Sequence, residues 1–166
     1  MTVGISSGTP GPIDPAGSAP NRYHPAMELE PALAWAAHRK HGVLITIRSD
    51  GRPQSSDVSY RLVDGRFQIS VTDGRAKTAN LRRDPRCVFH LTDIDSWSYL
   101  SFDGTAELTP PAADPDDATA DALVEYYRAV AGEEHPDWDE YRAAMVAEGR
   151  LLVHLSPSSV VGQIHG

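Results

Sequence analysis

The chain is poor in cysteine. Among its 166 residues only Cys87 carries a thiol, which excludes an internal disulfide framework and makes a reducing compartment, the cytoplasm, the simpler expectation. Basic residues are also scarce: 15 Lys and Arg face 23 Asp and Glu, a formal net charge of −8. Such a chain is ill suited to wrapping nucleic acid, where many phosphates must be neutralised. No apolar run approaches the roughly 20 residues that span a bilayer, and no basic amphipathic segment is present for anionic lipid. The N-terminus lacks a basic stretch followed by an apolar one, so no export signal is read there. Gly-x-Gly-x-x-Gly, Walker-type and Gly-x-Ser-x-Gly motifs are missing, which removes the Rossmann, P-loop and α/β-hydrolase readings. His38 and His41 have no carboxylate or thiol arranged with them as a zinc site, and His90 has no partner at ligand spacing, so no structural metal is expected.

What is present is an ordinary globular mixture, 40% hydrophobic and 23% charged, sized for one domain. Residues 1–25, with Pro10, Pro12, Pro15 and Pro20 among Gly and Ser, have the composition of a disordered tail; residues 26–166 form the expected domain. Leu29, Leu33, Ala36 and Ala37 share a helical face, with Gly42 as the stop. Val43, Ile45 and Ile47 then alternate with Leu44 and Thr46, a strand buried largely on both faces. An extended stretch over 53–63 follows the 49–52 turn, and Asp64-Gly65 turns the chain into a strand over 66–72. A short helix through Leu81 stops before Pro85, and strands follow over 86–92 and 98–109, the second bulged at Asp103-Gly104. Asp114 is read as the cap of a helix with Pro115 at its first position. Asp137 and Glu140 form a capping box for another helix. Two strands, 150–155 and 159–164, close the chain. Hairpin-linked strands interrupted by helices predict a mainly β, antiparallel barrel with helical insertions.

The stretch from Ser70 to Leu81 carries the chemical signal: a strand runs through Asp73-Gly74 into a helix that opens with Arg75 and Lys77. Helix-terminal N–H groups attract an anion, and flanking cations reinforce that. Arg grips phosphate bidentately while Lys acts as a point charge. The plainer alternative makes Asp73 the N-cap that compensates both cations.

Asp-Gly-Arg-Pro-Gln at 50–54, Arg-Ala-Lys-Thr at 75–78 and Asn-Leu-Arg-Arg-Asp-Pro-Arg at 80–86 resemble the pyridoxamine-phosphate-oxidase-like split β-barrel superfamily. Trp97-Ser-Tyr99, Gly-Thr-Ala-Glu-Leu-Thr-Pro-Pro at 104–111 and Asp-Trp-Asp-Glu-Tyr at 137–141 look like its B-type branch, the deazaflavin reductases that use coenzyme F420. The resemblance covers 27–162. It implies an F420-dependent oxidoreductase that passes hydride to a conjugated carbonyl, quinone or tetrapyrrole, acting as a homodimer. It also implies that Arg75, Ala76 and Lys77 hold the cofactor phosphate, with Asn80 nearby and Thr72 donating its hydroxyl. Gln54, Ser55 and Asp57 would border the ring system, Arg52 would meet the anionic tail, and Trp97 and Tyr99 would approach the ring across the dimer interface. Many members of the branch it resembles carry an amide where this chain has Asp57, and a carboxylate there would repel an anionic reduced deazaflavin.

Other readings stay open at this point. FMN shares the phosphate that ends the ribityl chain, so an FMN-dependent oxidoreductase of the pyridoxamine-phosphate-oxidase type fits the same motifs. A non-catalytic carrier of a flavin or tetrapyrrole is the third reading. Trp97 and Tyr99 have core packing as their plainer role, and Gln54, Ser55 and Ser56 have an exposed strand face. Cys87 alternates with Phe89 and Leu91 and reads as a small core residue. The proton donor is left among Tyr60, Tyr99 and solvent.

Overall fold

The computed structural model describes residues 27–165; the tail expected over 1–25 lies outside them. Helix α1 (Leu29–Ala36) precedes β1 (His41–Ile47), β2 (Pro53–Ser59), β3 (Arg61–Val63) and β4 (Arg66–Thr72). Helix α2 (Ala76–Arg83) leads into β5 (Arg86–Asp93) and β6 (Ser98–Leu108), and α3 (Ala118–Ala131) and α4 (Trp138–Ala147) precede β7 (Arg150–Gln163). The seven strands form one antiparallel sheet in the order β2-β1-β5-β6-β7-β4-β3. The sheet curls into a half-barrel, the expected split barrel.

Alternation decides which side chains enter that barrel. Phe67, Ile69 and Val71 of β4 point inward with Leu44, Phe89, Leu91, Leu100 and Phe102 from the neighbouring strands. The rings of Tyr60, Phe89 and Phe102 lie 5.4, 4.8 and 5.0 Å from that of Phe67, in tilted or edge-on contacts favoured over face-to-face stacking. Ala32 and Ala36 let α1 close over this core, and the Tyr60 hydroxyl donates to the Ala36 carbonyl at 2.6 Å. On the opposite face of the sheet, Leu152 joins Ala120, Leu123, Tyr126 and Met145 in a smaller apolar cluster under α3 and α4.

Several local expectations hold. Asp64 and Gly65 both have positive φ, 50° and 73°, as a tight turn between twisted strands requires. The register shifts between Asp103 and Gly104. The Asp137 side chain accepts from the Glu140 N–H at 2.9 Å and caps α4.

Others are corrected. The first helix ends at Ala36, and Gly42 sits within β1. A Cβ at Gly42 would come within 2.5 Å of Leu91 and 2.6 Å of Phe89, so two core side chains crossing its backbone account for the glycine. The extended stretch 53–63 is two strands, because Tyr60 turns into the core between them. Asp117, and not Asp114, caps α3: its carboxylate accepts from the N–H groups of Ala120, Ala113 and Asp114. Pro115 therefore lies before that helix. The last two expected strands are one, with Pro157 absorbed opposite Gly104 at the bulge, where a missing N–H costs no ladder bond.

Gly104 lies where two strands approach closely, and a Cβ there would stand 2.4 Å from the Ser156 carbonyl oxygen, a backbone atom. Gly104→Ala is expected to destabilise the fold by roughly 1–3 kcal/mol, read as a lower urea midpoint; an unchanged midpoint would show that the bulge yields freely.

Candidate functional site: a cationic cavity at a strand–helix junction

Because Phe67, Ile69 and Val71 face the core, Ser70 and Thr72 must face outward on β4. The chain then turns through Asp73 and Gly74, and α2 begins without a side-chain cap: Arg75 occupies the cap position in an extended conformation. Asp73, the residue expected to cap, is paired instead with Arg82 in the last turn of the same helix. The Thr78 hydroxyl donates to the Thr72 carbonyl at 2.9 Å and ties the helix to the strand end. Pairing of β4 with β7 sets Arg150 opposite Thr72.

These pieces line a cavity of about 600 Å³. Ser70, Thr72, Arg75, Lys77 and Arg150 line it together with Asp57, Val58 and Ser59 of β2 and with Tyr126, Tyr127, Tyr141 and Met145 of α3 and α4. Volumes of 300–1,000 Å³ are typical of small-ligand sites, so a roughly cofactor-sized molecule fits.

Charge around this cavity is unbalanced. Arg75 and Lys77 make no ion pair among the described residues, whereas Arg150 bonds the Glu148 carboxylate at 2.8 Å and reaches the Ser70 hydroxyl at 3.5 Å. Burial, then the neighbouring charges of Arg75 and Arg150, hold the Lys77 ammonium below its ordinary value of 10.5. An ammonium made more acidic by desolvation and like charge is relieved by an anion. Asp57 supplies a carboxylate at the β2 border, leaving three cations and one acid around the cavity.

Of the residues expected at a site, Asp57, Thr72, Arg75 and Lys77 come together here. Asn80 is buried and its amide nitrogen donates to Thr46 Oγ1 and Gln54 Oε1, both at 3.0 Å. Asn80 and Gln54 thus form a brace that seats α2 against β1 and β2. Arg52 is exposed and doubly bonded to Asp50. Ser55 and Ala76 are exposed and border no cavity wall described above. Trp97 lies outside the cavity, 74% exposed on a turn with φ of 55°, so a core role is overturned. Tyr99 lies on β6, its ring 6.1 Å from that of His90, also outside the cavity. The Tyr60 hydroxyl is sealed in the core, and burial raises its pKa, which removes it as a proton donor. Burial likewise pushes the Cys87 thiol up to about 12, so it stays an unreactive core group.

Sequence reasoning missed Arg150 and the cavity's tyrosines. Ser70 was findable, since it shares the outward face of Thr72 two residues away; Arg150 stands in no motif, and only strand pairing brings it to the junction. Among the described residues, no group of three or more His, Cys, Asp or Glu side chains is placed to hold a metal ion, and no helix is long and apolar enough to cross a membrane.

A family model described as pyridoxamine 5'-phosphate oxidase matches residues 30–160. The chain belongs to the pyridoxamine 5'-phosphate oxidase family. Solved structures share the fold. A conserved hypothetical protein from Mycobacterium tuberculosis aligns with TM-score 0.66 at 24% identity, over 84% of this chain and 86% of that one. A haem-binding protein from Mycobacterium smegmatis aligns with TM-score 0.60 at 23% identity, over 81% of this chain and 53% of that one. A protein named as an F420 reductase aligns with TM-score 0.55 at 22% identity, over 73% of this chain and 88% of that one.

Lys77 has a folded-state pKa below that of the unfolded chain, so without an anion the folded state gains stability from this group as pH rises toward 10.5. Bound anion reverses that preference. Above about pH 8, where phosphate is already a dianion, the rise in melting temperature caused by inorganic phosphate is expected to shrink with increasing pH. Melting curves of the protein and of Lys77→Met check this: the pH dependence disappears in the variant, and an identical dependence in both would rule Lys77 out.

Proposed function

We propose that this protein is an oxidoreductase that anchors a flavin-type cofactor by its phosphate in the β4–α2 cavity, with coenzyme F420 as the cofactor. The reading rests on one observation: Arg75 and Lys77 converge with Arg150 around a cofactor-sized cavity without an ion pair of their own. The motifs at 97–99, 104–111 and 137–141 support F420 over other flavins, as does the likeness to an F420 reductase.

The residues present fit such a group. Arg75 offers a planar fork, Lys77 a point charge, Arg150 a second guanidinium, and the Ser70 and Thr72 hydroxyls two neutral donors to phosphate oxygens. The chemistry such a cofactor supplies when bound is hydride transfer to an electron-poor small molecule, a conjugated carbonyl, quinone or tetrapyrrole. The chain's own part is to bind the phosphate, orient what is attached to it and shield that side from water with the tyrosines of α3 and α4. With Tyr60 sealed in the core, the proton that completes reduction comes from solvent or Tyr99 in this reading. Trp97 and Tyr99, which lie outside the cavity of one chain, act across a homodimer interface. Half-buried Ile45, Ile47 and Val88 on the outward face of β1 and β5 border an apolar groove of about 460 Å³ suited to a second copy. The single buried thiol suits a cytoplasmic setting.

FMN is the second reading, because the feature carrying the proposal is a phosphate seat and FMN ends in a phosphate. Titration of the purified protein with F420, FMN and haemin separates the readings. F420 is expected to bind tightest and to support turnover of a quinone or enone. Loss of one charged phosphate contact in Lys77→Ala or Arg150→Ala is expected to weaken binding about 10- to 100-fold. Unchanged affinity in Lys77→Ala refutes the site, FMN as the tighter ligand selects the second reading, and tight haemin binding without turnover selects a carrier.

A further inference from the structure

Three tyrosines line the cavity, and two have committed hydroxyls. Tyr126 donates to the Ser59 carbonyl at 2.7 Å, and Tyr141 to the Leu123 carbonyl at 3.1 Å. The Tyr127 hydroxyl makes no hydrogen bond with any described residue, although its side chain is half-buried and borders the same cavity. Its ring is nevertheless held. Tyr141, Trp138 and His135 pack edge-on to it with centroids at 5.1, 5.7 and 5.4 Å, and the Arg128 guanidinium lies over Trp138 at 4.8 Å. A phenol fixed in place with an open donor is a pre-organised contact, because little rotamer freedom remains to be lost on binding.

The tyrosines and the cations line the same cavity. The charge of Arg150 acts on Tyr141, whose ring touches Tyr127. A free phosphate would satisfy the cations without engaging the Tyr127 hydroxyl. A phosphate ester whose body carries hydrogen-bond acceptors, such as hydroxyls or carbonyls, would reach both.

We infer that Tyr127 is a specificity-determining residue of this cavity, donating its hydroxyl to an acceptor on the body of a phosphate-ester ligand beyond the phosphate itself. The inference rests on the cavity being the cofactor site proposed above. It adds a selection rule: the cations read the anion, and Tyr127 reads what the anion is attached to. Sites that hydrogen-bond a ligand group discriminate against ligands lacking it more sharply than apolar pockets do.

The test compares wild type, Tyr127→Phe and Lys77→Ala. Three quantities are measured on each: affinity for whichever of F420 and FMN binds wild type more tightly, displacement of that ester by inorganic phosphate, and melting temperature. Tyr127→Phe is expected to weaken the ester about 5- to 10-fold, to leave phosphate affinity within about twofold, and to leave the melting temperature unchanged, since the hydroxyl has no internal partner. An unchanged ester affinity in Tyr127→Phe, with Lys77→Ala weakening ester and phosphate alike, overturns this inference and leaves the site standing. Equal weakening of ester and phosphate in Tyr127→Phe, or a lowered melting temperature, assigns Tyr127 a structural role and also overturns it. No effect of Lys77→Ala on either ligand removes the site, and the inference with it.

Discussion

Strand β7 pairs with β4 over residues 150–155 and with β6 over residues 153–163, and its first half is largely buried on both faces. It bonds β6 along one side and β4 along the other, sets Leu151, Val153 and Leu155 into the barrel, and presents Leu152 to the helices outside. Removing a strand so enclosed from water stabilises through apolar burial on two sides while every ladder bond is kept. The register it imposes reaches the chemistry, because pairing of Thr72 with Arg150 carries a guanidinium to a junction whose own residues supply only Arg75 and Lys77. The cavity is therefore a product of long-range pairing as much as of the local turn.

That dependence explains which features could be read from residues alone. Period-two alternation marked β4 and β5 because each has one face in the core, and Asp64-Gly65 marked its hairpin because few residues tolerate positive φ in succession. The anion-binding junction was legible because it is contiguous: strand end, glycine turn and two cations within a few residues. Arg150 was not, since nothing near it in sequence signals an anion. The plainer alternative for Trp97, core packing, fails for the same reason: an aromatic side chain's surroundings are set by the turn it sits on, and this one is exposed.

Other failures were contests between equal local signals. Asp114, Asp116 and Asp117 crowd the start of α3, and Asp117 caps it because its carboxylate collects three backbone N–H groups while Asp114 takes the one from Asp116. Gly42 resembled a helix stop because glycine terminates helices, yet its glycine identity answers to the crowding of Leu91 and Phe89 across β1. Pro157 resembled a strand end, and the bulge opposite Gly104 gave it a place inside one. In each case tertiary contact chose between options that local chemistry had left balanced.

The helical pair α3–α4 is spliced between β6 and β7 and rests on the sheet through a small apolar cluster, whereas the barrel beneath is sealed by a much larger one. Elements held by fewer buried contacts open more readily than the body they rest on. A ligand lodged between the β4–α2 junction and this pair would act as a clasp, joining stretches distant along the chain. Its departure would then restore to the pair its freedom to breathe, so that backbone amides in α3 and α4 report occupancy of the cavity by how slowly they exchange with solvent.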